Sequence, residues 1–359
     1  MQSRPSTKTR PISPFKPAWW LKNAHLQTIL AKYLAPKRAL HTIDEMLELP
    51  DGDELQLNWL QSNAAAQTPI ALVLHGLEGN LKSHYVRGML QALQQQGFRV
   101  LLMHFRGCHG APNKTPRAYH SGDTEDLAAV IAHVQQRYPS APLCAVGFSL
   151  GGNVLAKYCG ETGAHNPLFA AAVVSAPLML AACARKINQG FSKVYQNYLL
   201  GRLKRSMTRK LQAHRDFPLP LTPEKIQATR SIREFDEILT APLHGFRDAD
   251  DYYRRASAKP LLAKVHIPLL LIHAMDDPFL DDEVVPDAQQ LPPQVQLLLS
   301  QHGGHVGFVA GGAPWRPVYW LDQVVPAYLW QQHTSSHTRS HTAQQPLAAN
   351  DAIQESAVC

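Results

Sequence analysis

Apolar and polar positions follow one pattern before residue 70 and another after it. Over 46–60 they alternate around Asp51-Gly52, a dipeptide that favours the positive φ of a tight turn, and this predicts a β-hairpin. Upstream, 1–40 reads as an extended, proline-rich arm ending in an amphipathic helix over 19–34, closed by Pro36. From Ile70 short, wholly apolar runs alternate with helical periodicities. Strands are predicted over 70–74, 98–103, 143–148 and 170–175, with helices over 83–96, 123–137 and 153–160 and Gly97 in a C-capping position. The strand pattern returns at 267–273 and 295–299, with helices over 283–291 and 318–332. Continuous apolar strands separated by helices imply an α/β fold with a mostly parallel central sheet covered on both faces. The core is then 41–176 plus 263–332, interrupted by a helical lid insertion over 177–262. The Ser/Thr/Gln/Ala-rich segment 333–359 has no apolar period and is expected to be a disordered tail.

Composition narrows the class. With 45% hydrophobic residues in 359, the chain can bury a large core. No apolar run approaches the ~18 residues of a membrane-spanning helix, and the basic N-terminus lacks the apolar stretch of a secretory signal. Five cysteines without a C-x-x-C pair fit neither a disulfide framework nor a thiolate zinc site, so a soluble, cytoplasmic protein is expected. The net charge of +7 is local: Arg185, Lys186, Lys193, Arg202, Lys204, Arg205, Arg209, Lys210 and Arg215 fall in one stretch of the lid with no acid among them. A solvated helical face accounts for this, as does attraction to an anionic substrate or anionic lipid surface. Nucleic-acid contact is disfavoured because no recognised module accompanies the charge. Apolar residues interleaved there, such as Phe191, Tyr195, Leu199 and Leu203, suit an acyl-chain pocket or the lid's own core. His333, His337 and His341 recur at helical spacing, but the Ser and Thr between them argue against a metal-binding helix.

The chemistry sits at strand ends. Gly147-Phe148-Ser149-Leu150-Gly151 joins a buried strand to a helix, the context in which G-x-S-x-G exposes a serine Oγ at a helix N-terminus. His75-Gly76-Leu77-Glu78-Gly79 follows the 70–74 strand, where the N–H of Leu77 pairs with that of Leu150 as an oxyanion hole; His75 is read as a packed, loop-shaping residue. After the last strand, glycine-flanked His305 is preferred as general base over His302. Asp276 and Asp277 both follow the 267–273 strand; Asp277 is favoured as the acid that orients the imidazole, with Asp276 bracing the loop. The order Ser…Asp…His is that of α/β-hydrolases.

These motifs, with His25-Leu26-Gln27-Thr28, Phe105-Arg106-Gly107-Cys108, and Gly245-Phe246…Asp251-Tyr252-Tyr253…Ser257, resemble the YheT-like family of α/β-hydrolases, which is related to the eukaryotic abhydrolase-domain lipid hydrolases. The resemblance covers roughly 12–330 and implies a triad of Ser149, Asp277 and His305 acting on carboxylic esters, acylglycerols or other lipid-like esters, with no cofactor and no metal. Eukaryotic members carry an N-terminal membrane anchor that this sequence does not show, so membrane residence is not carried over. Two alternatives stay open. One is an acyltransferase or perhydrolase on the same triad. The other is a non-enzymatic module that binds an anionic membrane or RNA through the basic lid.

Overall fold

The computed structural model describes residues 13–36 and 39–342. Helix α1 (Ala24–Leu34) opens on Asn23, whose side chain accepts the N–H groups of His25 and Leu26. Strands β1 (Thr42–Glu48) and β2 (Glu54–Leu60) form the antiparallel hairpin predicted around Asp51-Gly52. Then come β3 (Ile70–Leu74), α2 (His84–Gln96), β4 (Arg99–Met103), α3 (Glu125–Arg137), β5 (Leu143–Phe148), α4 (Leu150–Thr162) and β6 (Ala170–Val174). Gly97 ends α2 at φ 111°, a backbone region that favours glycine.

Between β6 and the next strand lie α5 (Leu180–Ile187), α6 (Ser192–Ala213), α7 (Pro223–Ala228) and α8 (Ile232–Phe235). A π-helical turn, Asp236–Thr240, continues into α9 (Ala241–Leu243), and α10 (Ala249–Ala256) follows. The chain closes with β7 (Leu269–Ala274), β8 (Val295–Ser300), β9 (Val309–Ala313), β10 (Arg316–Tyr319) and α11 (Leu321–Thr342).

Eight strands form one sheet in the order β1-β2-β4-β3-β5-β6-β7-β8, parallel from β4 to β8 and antiparallel at the β1-β2-β4 edge. Alternation along each strand divides the core into two layers. In β3, Ile70, Leu72 and Leu74 meet α3 and α4 through residues such as Val130 and Leu155. Ala71 and Val73 face the other way, toward α2 and α11, where Met89, Leu90, Val325 and Leu329 are buried. No described helix is long and apolar enough to cross a membrane.

Three expectations are corrected. The stretch read as a helix over 283–291 forms only two short 3₁₀ turns, Asp282–Val284 and Ala288–Gln290, because Pro286, Pro292 and Pro293 deny the backbone donors a helix needs. A second hairpin, β9 with β10, occupies 309–319 where no strand was predicted; Gly311, Gly312 and Pro317 hide its pattern. The expected disorder from 333 onward is also revised. Helix α11 runs to Thr342, since its first turns are anchored in the core by Val325, Tyr328 and Leu329 and elongation from an existing helix is easier than nucleation. Residues 343–359 lie outside the described residues.

Arg106, just beyond β4, holds four parts of the structure together. Its Nε and Nη2 donate to both oxygens of Asp126 on α3 at 2.8 and 2.6 Å, and Nη1 reaches Asp53 at 2.7 Å and Asp51 at 2.8 Å in the β1–β2 turn. Asp53 also accepts the Thr115 hydroxyl at 2.7 Å and the Lys114 N–H at 2.9 Å. The Arg106 and Asp53 side chains are 1% and 0% exposed, so removing the guanidinium strands buried carboxylates. Arg106→Leu is expected to cost about 3–5 kcal/mol in urea unfolding. Arg106→Lys recovers only part of this, because one ammonium cannot reproduce the guanidinium fork.

Candidate active site

Ser149 sits between β5 and α4 at φ 50° and ψ −120°, a strained backbone fixed by its N–H, which donates to Val174 O at 2.8 Å. The turn is possible only with glycine on both sides. A Cβ on Gly147 would lie 2.5 Å from Gly151 O, and one on Gly151 would run into His75 O. The loop after β3 therefore lies against the serine: an added Cβ on Gly76 would be 3.1 Å from Ser149 Cβ.

That loop keeps one donor open. The N–H of Gly76 is taken by the Tyr85 hydroxyl and that of Glu78 by the Tyr119 hydroxyl, both at 2.9 Å. The N–H of Leu77 has no partner among the described residues. Leu150, the first residue of α4, has an N–H with no carbonyl one turn back. Both residues line the same pocket as Ser149. His75 is fully buried; its Nδ1–H donates to Gly76 O at 2.7 Å and its Nε2 accepts the Phe105 N–H at 3.2 Å. Burial, with help from His104, pushes its imidazole down to about 3, so it stays neutral and shapes the loop.

His305 Nε2 lies 3.0 Å from Ser149 Oγ, and His305 Nδ1 lies 2.8 Å from Asp277 Oδ2. Asp277 is 2% exposed, and its other oxygen accepts the Phe279 N–H at 2.8 Å. The Phe279 ring stacks on the imidazole with centroids 3.9 Å apart. Asp276 points elsewhere, accepting the Gly304 N–H at 2.9 Å and facing His302 Nδ1 at 3.3 Å. Burial raises the Asp276 carboxyl against the lowering effect of those two hydrogen bonds. The structure thus brings Ser149, His305 and Asp277 together and pairs His302 with Asp276 outside that line.

Sequence reasoning missed the supports. Thr28 Oγ1 accepts the His305 N–H at 2.9 Å, and Gln27, fully buried, binds Val309 through both ends of its amide. These two residues belong to the arm motif His25-Leu26-Gln27-Thr28, the only signal that marked them. His273 on β7 is fully buried near Asp277 and His305, and burial pushes its imidazole down to about 4.

The pocket before Ser149 has largely apolar walls, supplied in part by the helices between β6 and β7: Leu180 and Ile187 of α5, Leu203 and Met207 of α6, and Phe235 of α8. The basic residues of α6 do not all face solvent. Lys210 is buried, donates to Arg117 O at 2.8 Å and to Asn113, and is pushed down to about 8 chiefly by burial; Arg202 donates to Glu78 O. Asp236, at the start of the π-helical turn, also lines the pocket and accepts the Thr240 hydroxyl at 2.7 Å and the Tyr253 hydroxyl at 2.8 Å.

A family model described as alpha/beta hydrolase fold matches residues 69–311. YheT of Escherichia coli (strain K12), by its name a candidate esterase, is 46% identical over 316 residues, spanning 88% of this chain and 92% of the relative. Phospholipase ABHD3 of Mus musculus is 33% identical over 335 residues, spanning 91% of this chain and 80% of the relative. Among solved structures, Est1E from Butyrivibrio proteoclasticus with ferulic acid bound is similar at a TM-score of 0.51 and 14% identity, over 81% of this chain and 100% of that one, a likeness of fold.

Burial raises the Asp236 carboxyl to about 6 from an ordinary 3.8, more than the Thr240 and Tyr253 hydrogen bonds lower it. Between those values the folded chain holds a proton the unfolded chain has released. The stability this proton contributes is full below about pH 4 and is lost as pH rises through about 6, a change on the order of 3 kcal/mol. Asp236→Asn is expected to remove this dependence and to be more stable than wild type at pH 8, measured by urea unfolding across pH 4–8.

Proposed function

The chain belongs to the YheT-like family of α/β-hydrolases and is a carboxylic ester hydrolase, and we propose that it works through Ser149, His305 and Asp277 on lipid-like esters. The observation that carries this reading is His305, with one ring nitrogen 3.0 Å from Ser149 Oγ and the other 2.8 Å from Asp277.

Ser149 Oγ attacks the ester carbonyl as His305 Nε2 takes its proton. Asp277 accepts the Nδ1–H, which selects the tautomer with a free Nε2 and stabilises the imidazolium as it forms. The N–H groups of Leu77 and Leu150 bind the developing oxyanion, with Tyr85 and Tyr119 holding the loop that aims Leu77. The imidazolium protonates the departing alcohol. Water, deprotonated by the same histidine, attacks the acyl-serine and releases the acid.

The lipid-like substrate class rests on the apolar walls from α5, α6 and α8, which suit an acyl chain better than a polar acid. The mouse relative called a phospholipase points the same way.

Fluorophosphonate labelling tests the nucleophile. Wild type is expected to label at neutral pH, Ser149→Ala not at all, and His305→Ala at a greatly reduced rate. Asp277→Asn is expected to lower ester turnover by about 10⁴-fold, because the amide favours the wrong imidazole tautomer. Turnover of p-nitrophenyl esters is expected to rise from acetate to medium chains, and Leu203→Trp to shift the optimum to shorter ones. A folded wild type that neither labels nor turns over any chain length would overturn the reading.

A further inference from the structure

Helix α1 meets the start of α6. At one end the His25 ring is 4.4 Å from the Phe191 ring, and His25 Nδ1 is 3.0 Å from the Tyr195 hydroxyl. Toward the other end, Lys32 of α1 acts electrostatically on Tyr198 of α6. There burial would raise the phenol, but the Arg202 hydrogen bond and the charges of Arg202, Lys32 and Arg205 lower it. Each helix turns a stripe of apolar side chains outward at helical spacing: Leu26, Ile29 and Tyr33 on α1, and Val194 and Tyr198 on α6 with Phe191 at its N-cap. These six are between 36% and 73% exposed.

Isolated apolar residues on a surface need no account, but two apolar stripes on helices that meet at one end do. Their electrostatic setting is dominated by positive charge. The chain has no Asp or Glu before Asp44 and none between Leu178 and Asp216, so both helices are free of acids. Lys22, Lys32, Lys193 and Arg205 are exposed on or beside the two helices, and none is paired with a carboxylate among the described residues. Of the carboxylates nearby, Glu78 is 9% exposed and is occupied by the Ser206 and Tyr119 hydroxyls, and Asp276, which shares a surface pocket with His25 and Phe191, accepts the Gly304 N–H and faces His302.

We propose that the joined outer faces of α1 and α6 form a docking surface for an anionic lipid bilayer. Aromatic and aliphatic side chains enter the headgroup boundary while the surrounding lysines and arginines meet anionic headgroups, as on interfacial amphipathic helices. A protein partner with an acidic rim or a second copy of this chain would also cover apolar residues. A second copy brings the same cations into the contact, which disfavours it. The location has a consequence for the site. The side of α1 opposite Leu26 and Ile29 carries Gln27 and Thr28, which hold Val309 and His305, so the docked face backs directly onto the loop of the proposed general base. The inference deepens the lipid-ester reading by naming the surface from which such a substrate arrives, and it rests on that reading only for this use.

The test is co-sedimentation of the full chain with phosphatidylcholine vesicles, with and without phosphatidylglycerol, alongside hydrolysis of p-nitrophenyl acetate in buffer. Each cation near an anionic surface contributes about fivefold in affinity, so several predict a preference of roughly 100-fold for anionic vesicles at low ionic strength, falling steeply with added salt. Lys32→Glu with Lys193→Glu is expected to remove the preference for phosphatidylglycerol. Ile29→Glu with Val194→Glu is expected to weaken binding to both vesicles by about tenfold or more. Both pairs keep acetate hydrolysis within about twofold, which shows that they fold. Equal binding to neutral and anionic vesicles, no binding by wild type, or wild-type binding by both pairs would overturn the proposal. So would a dimer that Ile29→Glu with Val194→Glu dissociates. Vesicle binding with neither fluorophosphonate labelling nor hydrolysis of any ester would keep the docking face and remove the triad reading; hydrolysis without vesicle binding would do the reverse.

Discussion

Holding a serine at φ 50° requires three stretches of backbone to crowd around it, and the rest of the site is arranged by that crowding. Gly147, Gly151 and the loop after β3 approach so closely that none has room for a further carbon. This proximity delivers the N–H of Leu77 to the same pocket as the N–H of Leu150, and it explains why the loop is clamped by two tyrosine hydroxyls. An unclamped loop would relieve the strain by moving away, and the donor would go with it. The strain is local; the structure that sustains it is the whole parallel sheet, whose β3, β5 and β6 fix the three stretches in register.

What the sequence revealed follows how locally each feature is determined. The strand β5, the glycines around Ser149 and the helix after it occupy consecutive residues, and their pattern is unambiguous. The first hairpin was equally plain from Asp51-Gly52. The choice between Asp276 and Asp277 is different, because adjacent residues on a turn diverge only in three dimensions. Asp276 faces Gly304 and His302, and Asp277 faces His305, on a loop 28 residues away. No periodicity carries that information.

Other features were hidden by competing signals. The stretch 283–291 has a helical distribution of apolar residues, but the prolines within and after it override that preference. The β9–β10 hairpin is rich in glycine, and its role is to provide a platform for α1 through Val309 and Tyr319. Arg106 showed only as part of a motif, with no visible partner, since Asp51 and Asp53 lie in one turn and Asp126 in a separate segment. The charge of α6 likewise read as a single basic run. In the structure it divides between side chains that anchor the helix to core loops, such as Lys210 and Arg202, and others that remain in solvent.

The clasp between α1 and the His305 loop joins residues 277 and 282 positions apart in the chain. A ribosome makes the arm first and its partner loop near the end, and during that interval Gln27 and Thr28 have nothing to hold. The serine turn, lying mid-chain, has its strand and helix long before β8 and the histidine loop emerge. A nascent polypeptide therefore carries the proposed nucleophile for much of its synthesis without the proposed base 156 positions further on. On the proposed reading, reactivity is switched on late, when the earliest and latest segments meet. Until then the growing chain is a hydrolase in outline only, harmless to the esters around it.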